Sequence, residues 1–121
     1  MSKTLNAQII ERARFLIEDE QNWCRGELAR DGDGTPVCPT DSRAKRRCAL
    51  GAFIAAAYEI TNDSMLAHDL AFGAVRSFSG ITTLVTINDV RGHAAVLKQL
   101  DDAMDDGDQG MLEHKAFQAR S

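Results

Sequence analysis

Apolar residues recur three and four positions apart in several stretches of this chain, the spacing that builds one buried face of a helix. The pattern is clearest over residues 5–20, where charged residues fill most of the intervening positions. Similar patterns over residues 64–78 and 92–105 each follow residues that commonly cap helices. The sequence therefore predicts helices over these three ranges.

A further predicted helix, in the middle of the chain, contains its most apolar segment. This helix begins at Asp41 or Ser42, which are both good N-caps, and its apolar part runs from Cys48 to Tyr58. A helix that is apolar on every side must be surrounded by protein, so we expect it at the centre of the fold. The apolar run is too short to cross a membrane, since a spanning helix needs about 20 residues.

Two stretches predict β-structure. Residues 23–38 contain two consecutive Asp-Gly pairs at 31–34, which are typical of a tight hairpin turn, and Pro36 restricts the second strand to a sheet edge. Residues 81–87 are mostly β-branched and predict a short strand. The expected fold is mainly α (α+β), with about four helices around the central apolar helix and one small antiparallel β-hairpin.

Length and composition indicate a single globular domain over residues 1–121. The chain is 44% hydrophobic and 26% charged, which is close to the globular average. The Asp- and Gly-rich start of residues 106–121 predicts a loosely ordered tail. Three cysteines without a close pair, and no apolar leader, predict a cytoplasmic protein. A net charge of -4 argues against nucleic acid as a partner.

Four short motifs stand in a distinctive order along the chain. They are Trp23-Cys24, Ala29-Arg30-Asp31, Cys48-Ala49-Leu50-Gly51-Ala52 and Asn88-Asp89. In this set the chain resembles an uncharacterised family of small bacterial and phage proteins, over residues 5–105. The resemblance implies a domain of unknown function and carries no mechanism. The chain departs from the family pattern at Gly92-His93, where an Arg-Thr pair is expected.

A cluster of cations marks the first turns of the predicted central helix: Arg43, Lys45, Arg46 and Arg47. Cations at the positive end of a helix dipole are unfavourable unless a negative group is near. One interpretation is that Asp41 and acids of the first helix or the hairpin offset them. The other is that the helix N-terminus and its cations bind an anionic small molecule. The sequence leaves both interpretations open.

Cys48 raises the alternative of an enzyme. A thiol can act as a nucleophile with a histidine such as His68 or His93, and Asp89 with a basic partner is a second catalytic option. Cys48 is predicted well inside an apolar helix, however, where cysteine usually behaves as an inert apolar side chain. The sequence therefore predicts no catalytic residue, and its cysteine and acid spacings predict no metal site and no cofactor.

Most of these features fall near the start of the central helix, and they define a candidate ligand-binding set. The set comprises Trp23, Arg25, Arg46, Arg47, Cys48, Asn88 and Asp89. The first functional hypothesis is a small binding or regulatory module for an anionic ligand. The second is an enzyme that uses Cys48 or Asp89 with a histidine or basic partner. The third is a structural or interaction protein that works as a homo-oligomer, which an exposed apolar patch would favour.

Overall fold

The computed structural model describes residues 3–105, and most of this range is helical. Its helices are α1 (Leu5–Leu16), α2 (Ala49–Thr61), α3 (Ser64–Arg76), α4 (Ile81–Thr86) and α5 (residues 93–105). Its strands are β1 (Ala29–Arg30) and β2 (Arg46–Arg47), which form one antiparallel sheet. The predicted fold class, mainly α with a small antiparallel sheet, is confirmed.

Helix α2 lies at the centre of the fold, as predicted. Every residue from 49 to 57 is buried, and α1 and α3 pack against it. The buried face of α3 contains Ala67, Ala71 and Ala74, whose small side chains allow the two helix axes to approach closely. The apolar segment is therefore the core helix of the domain.

The predicted start of the central helix at Asp41 or Ser42 is wrong. Helix α2 begins at Ala49, and Cys48 is its N-cap in an extended conformation. The backbone before it pairs with β1 instead, since the N–H of Lys45 donates to the carbonyl of Arg30 at 2.8 Å. The N–H of Cys48 donates to the carbonyl of Leu28 at 3.0 Å. These long-range bonds hold the basic segment in an extended conformation and exclude it from the helix.

The predicted hairpin is correct in its turn and wrong in its strand partner. The carboxylate of Asp31 accepts from the N–H groups of Asp33 and Thr35 at 2.9 and 3.0 Å, which closes the expected turn. Beyond it, Pro36 makes only an isolated bridge to Arg30. The strand that pairs with β1 is β2, with Ala29 opposite Arg47 and Arg30 opposite Arg46.

The predicted strand over residues 81–87 is also wrong, because this stretch forms α4. The helix continues through Ile87–Arg91 as one π-helical turn, which ends where the N–H of Gly92 donates to the carbonyl of Ile87 at 3.1 Å. Leu84 and Asn88 are buried four residues apart. Burial at helical spacing therefore outweighs the strand preference of the β-branched residues.

The other predicted helices are present with shifted ends. Helix α1 stops at Leu16, short of the predicted residue 20, and a short 3₁₀ turn at Glu20–Asn22 leads into Trp23. Helix α3 ends at Arg76, before the predicted residue 78. The predicted tail over residues 106–121 lies outside the described residues.

Within residues 3–105, no single helix has both the length and the apolar composition that crossing a membrane requires. Only two consecutive helical segments taken together, Ser64–Arg76 and Ile81–Arg91, satisfy both criteria, and this pair is bent by 85°. The most apolar helix, Ala49–Thr61, is shorter and almost wholly buried.

Candidate functional site

Asn88 connects three distant parts of the chain from a buried position, with 1% of its surface exposed. Its Oδ1 accepts from Trp23 Nε1 at 2.7 Å and from the backbone N–H of Ala49 at 2.9 Å. Its Nδ2 donates to the carbonyl of Cys24 at 3.2 Å and to Asp89 Oδ1 at 2.9 Å. The side chain thus uses both donors and accepts twice. We call these five residues the Asn88 junction.

Asp89 and Arg25 close the junction on its outer side. Asp89 Oδ1 accepts from the N–H of Gly26 at 3.1 Å, and Arg25 Nη1 donates to the carbonyl of Asp89 at 3.2 Å. The Arg25 guanidinium also lies over the Trp23 ring, 5.1 Å from its centroid. Because its hydrogen bond goes to a carbonyl rather than a carboxylate, the charge of Arg25 is oriented but not neutralised.

Cys48 caps α2 and is not prepared for nucleophilic chemistry. Its Sγ accepts from the N–H of Gly51 at 3.3 Å, and the residue is buried. Burial raises the pKa of the Cys48 thiol to about 11, so the thiol is protonated at neutral pH. Since Asn88 and Cys48 occupy the first amides of α2, this helix N-terminus is closed to an external anion.

The two histidines proposed as partners of Cys48 make other contacts. His93 Nε2 is hydrogen-bonded to the carbonyl of Ile17 at 2.7 Å, and its ring centroid lies 5.5 Å from that of Trp23. His68 Nδ1 is hydrogen-bonded to the carbonyl of Ser64 at 2.8 Å on the exposed side of α3. The part of the chain that the structure describes therefore contains no assembled Cys48–histidine pair.

Gly51 allows α2 to approach the loop before β1. A Cβ on Gly51 would lie 2.0 Å from the carbonyl oxygen of Leu28, a distance that no side chain tolerates. A small cavity of about 230 Å³ remains beside this contact. Its lining includes Gly26, Cys48 and Asp89. The cavity is largely apolar, and the side chains of Asn88 and Asp89 that line it are already hydrogen-bonded within the junction.

The basic residues before α2 are divided between two faces because they lie in a strand. Side chains alternate along a strand, so Lys45 and Arg47 lie on one face and Arg46 on the other. Arg46 is directly opposite Arg30, and partners in an antiparallel ladder project from the same face. Arg30 donates to the carbonyls of Gly34 at 2.9 Å and Arg25 at 3.5 Å, and to no carboxylate of the described range.

The interpretation that acids of the chain offset this basic cluster applies to one of its members. Arg43 forms an ion pair with Asp41 at 2.9 Å, and this contact lowers the pKa of the Asp41 carboxyl to about 2. In the described part of the chain, Lys45, Arg46 and Arg47 form no ion pair, and neither do Arg25 and Arg30. Most cations of this segment thus lack a carboxylate partner.

The structure brings together part of the candidate set that the sequence defined. Trp23, Arg25, Asn88 and Asp89 meet at the junction, and Cys48 lies beside them. The side chains of Arg46 and Arg47 point to opposite faces of β2. Sequence reasoning missed Arg30, although it lies in the Ala-Arg-Asp motif, because its position opposite Arg46 depends on a strand pairing that no local pattern shows.

Among residues 3–105, no group of three or more His, Cys, Asp or Glu side chains could hold a metal ion. No curated protein and no solved structure matches the chain. A family of unknown function, DUF6197, matches residues 1–106. The chain therefore belongs to the DUF6197 family.

Proposed function

We propose that the protein is a binding module that holds an anionic ligand on the surface formed by Arg25, Arg30 and Arg46, here named the arginine face. The observation that carries the proposal is the position of Arg30 directly opposite Arg46 in the sheet, with no carboxylate partner for either among residues 3–105. Like charges directly opposite each other in a ladder are destabilising. A bound anion removes that cost.

The geometry of Arg30 and Arg25 suits such a role. Each guanidinium is held by a backbone carbonyl, which fixes its orientation and leaves its charge available. A planar guanidinium presents several N–H donors in a fixed fork that matches phosphate and carboxylate oxygens. Since the first amides of α2 are occupied, the ligand would be held by side chains rather than by a helix N-terminus.

Titration calorimetry at low salt tests the proposal, with pyrophosphate as the probe. We expect wild-type protein to bind it and Arg46→Gln to weaken binding at least about tenfold, the loss of one charged hydrogen bond. Arg76→Gln on α3 is the matched control, because it removes the same charge away from the site and should leave affinity unchanged. Absence of binding to wild type, or equal losses in both variants, would contradict the proposal.

A role as a homo-oligomer is the second candidate, and exposed apolar residues favour it. Met65 is 82% exposed at the start of α3, beside the exposed Leu66 and close in sequence to Ile60. Clusters of exposed apolar residues commonly mark interaction surfaces. If this cluster is an interface between copies, wild-type protein should sediment as an oligomer and Met65→Glu as a monomer. A monomeric wild type at high concentration would exclude this candidate.

An enzyme based on Cys48 is not supported by the geometry, since the thiol is buried, protonated and without a histidine partner. The carboxylate of Asp89 accepts hydrogen bonds from the Gly26 amide and from Asn88 and forms no ion pair with a described basic residue.

For location we propose the cytoplasm, which the free cysteines Cys24, Cys38 and Cys48 support. The motifs support a bacterial or phage origin.

A further inference from the structure

A second surface feature lies on the other side of β2 from the arginine face. It is a groove of about 620 Å³ between the C-terminal end of α1 and the segment that leads into β2. Its lining includes Phe15, Leu16, Glu18, Asp19, Lys45 and Arg47. We call it the α1 groove. Its volume lies within the range that small-molecule sites occupy.

Arg47 contributes an unmatched charge to the α1 groove. Its Nε donates to the carbonyl of Pro39 at 2.9 Å, while its two Nη atoms have no acceptor among residues 3–105. Partial burial lowers the pKa of the Arg47 guanidinium, and only Glu59 acts in the opposite direction. Glu59 is itself paired with Arg12 at 2.6 Å. The guanidinium is thus partly desolvated without a counterion of its own.

The Nη atoms of Arg47 are accessible from solvent, because every fully buried side-chain nitrogen and oxygen in the described range has a hydrogen-bond partner. Lys45 lies on the same face of the chain and also has no carboxylate partner among the described residues. One wall of the groove therefore presents two cations that can meet an anion together.

The opposite wall limits how much negative charge a ligand can carry. Glu18 is paired with Arg14 at 2.9 Å, and Asp19 accepts from the N–H of Gln21 at 2.9 Å. These carboxylates are held by the protein and still carry negative charge. Two cations facing two carboxylates favour a single negative charge directed at the cations, and they repel a polyanion.

Apart from Asn22, the remaining lining is apolar, and Phe15 is its most exposed apolar residue. Phe15 is 62% exposed, and the guanidinium of Arg12 lies 4.8 Å from its ring centroid. Leu16 continues this apolar surface towards the cations. An apolar side chain packed on Phe15 would be close to the two cations, so the groove combines a site for an apolar body with a site for an anion.

We propose that the α1 groove binds a monocarboxylate with an aromatic or branched apolar body. The carboxylate lies against Arg47 and Lys45, and the apolar body packs on Phe15 and Leu16. The site is distinct from the arginine face, where three arginines without an ion pair among residues 3–105 suit a more highly charged anion. The two sites therefore differ in ligand charge as well as in position.

Amide NMR titration tests this assignment, with N-acetyl-phenylalanine as the probe. We expect shifts confined to residues 15–22 and 44–47. The neutral N-acetyl-phenylalaninamide should bind at least tenfold more weakly than the acid. Acetate, which lacks the apolar body, should bind more weakly than the acid by a similar factor. Equal binding of the acid and its amide would overturn the proposal, as would shifts centred elsewhere.

Variants locate the binding groups. Arg47→Gln should abolish the shifts. Because Arg47 is half-buried, circular dichroism is used to check that this variant still folds. Lys45→Gln, at an exposed position, should weaken binding about fivefold with an unchanged fold. Lys98→Gln, which removes a lysine paired with Asp102, is the matched control and should bind as wild type. If Lys45→Gln binds the probe as tightly as Lys98→Gln does, the assignment is overturned. It is also overturned if pyrophosphate binds in this groove more tightly than the monocarboxylate.

Discussion

The Asn88 junction and the arginine face lie close together but differ in whether their polar groups have partners within the protein. At the junction, a single buried amide exchanges four hydrogen bonds with Trp23, Cys24, Ala49 and Asp89. On the arginine face, Arg30 faces Arg46 across the sheet, and among described residues neither meets a carboxylate. The first region is satisfied internally, and the second is left with unmatched positive charge.

The difference separates residues that maintain the fold from residues that are available to a ligand. Buried polar groups that are fully bonded rigidify a core and specify one arrangement of its segments. Exposed charges with fixed orientation and no partner gain the most from an external anion. Trp23 and Asn88, which the motifs single out, therefore belong with the fold, and the functional hypothesis rests on the arginines beside them.

The largest effect that we predict concerns the packing beneath the junction. Gly51→Ala would place a methyl group 2.0 Å from the Leu28 carbonyl, so the loop and α2 must separate. We expect a loss of at least about 4 kcal/mol in the free energy of unfolding, measured in urea. Gly73→Ala in α3 is the control. Nothing lies within 4 Å of its new methyl group, and it should gain up to about 1 kcal/mol. Similar effects of both substitutions would refute the close contact.

This contact illustrates which parts of the fold the sequence could predict. Helical periodicity correctly predicted α1, α3 and α5, and the uniformly apolar run predicted the buried part of α2, because each pattern is contained within its own segment. The start of α2 and the strand pair could not be read, since they depend on bonds between Leu28 and Cys48 and between Arg30 and Lys45. Over residues 81–87 the β-branched composition wrongly predicted a strand, whereas burial follows helical spacing there.

The candidate site was predictable to a similar extent. The motifs singled out Trp23 and Asn88, which meet at the junction, but the two are 65 positions apart in sequence, and no spacing rule indicates that they touch. The basic cluster was assigned to a helix, in which its side chains would spread around the axis. A strand instead divides it into Arg46 on one face and Lys45 with Arg47 on the other.

Removal of the central amide should produce the next largest effect. Asn88→Ala leaves the Trp23 indole N–H and the Ala49 N–H buried without an acceptor. We expect a loss of about 3 kcal/mol in the free energy of unfolding, since each buried unsatisfied donor costs about 1–3 kcal/mol. Asn6→Ala on the exposed side of α1 should change stability by less than about 0.5 kcal/mol. A loss below that of the control would show that the junction does not hold the segments together.

The buried thiol of Cys48, which lies beside the junction, predicts that the stability of the protein depends on pH in the alkaline range. The pKa of Cys48 is raised from 9.0 to about 11, so the folded state holds this proton more tightly than the unfolded state. The corresponding stabilisation, about 3 kcal/mol, is complete below pH 9 and is lost as the pH rises to about 11. Urea unfolding between pH 8 and 11 should show a smaller loss for Cys48→Ser, which keeps an N-cap oxygen. Cys38→Ser, at an exposed thiol, should retain the wild-type slope, and an unchanged slope in both variants would contradict the prediction.

The smallest effect bears most directly on the contrast between the two regions. If Arg30 and Arg46 repel each other in the absence of a ligand, Arg46→Thr should stabilise the protein by about 0.2–1 kcal/mol. Threonine also suits a strand, so the electrostatic part is identified by salt: the gain should shrink as ionic strength rises. Arg43→Thr removes the same charge together with its ion pair to Asp41 and should bring no salt-dependent gain. Stabilisation by Arg46→Thr, combined with the loss of anion binding in Arg46→Gln, would mean that Arg46 lowers the stability of the fold and contributes to anion binding. A destabilised Arg46→Thr would instead place Arg46 with the residues that maintain the fold.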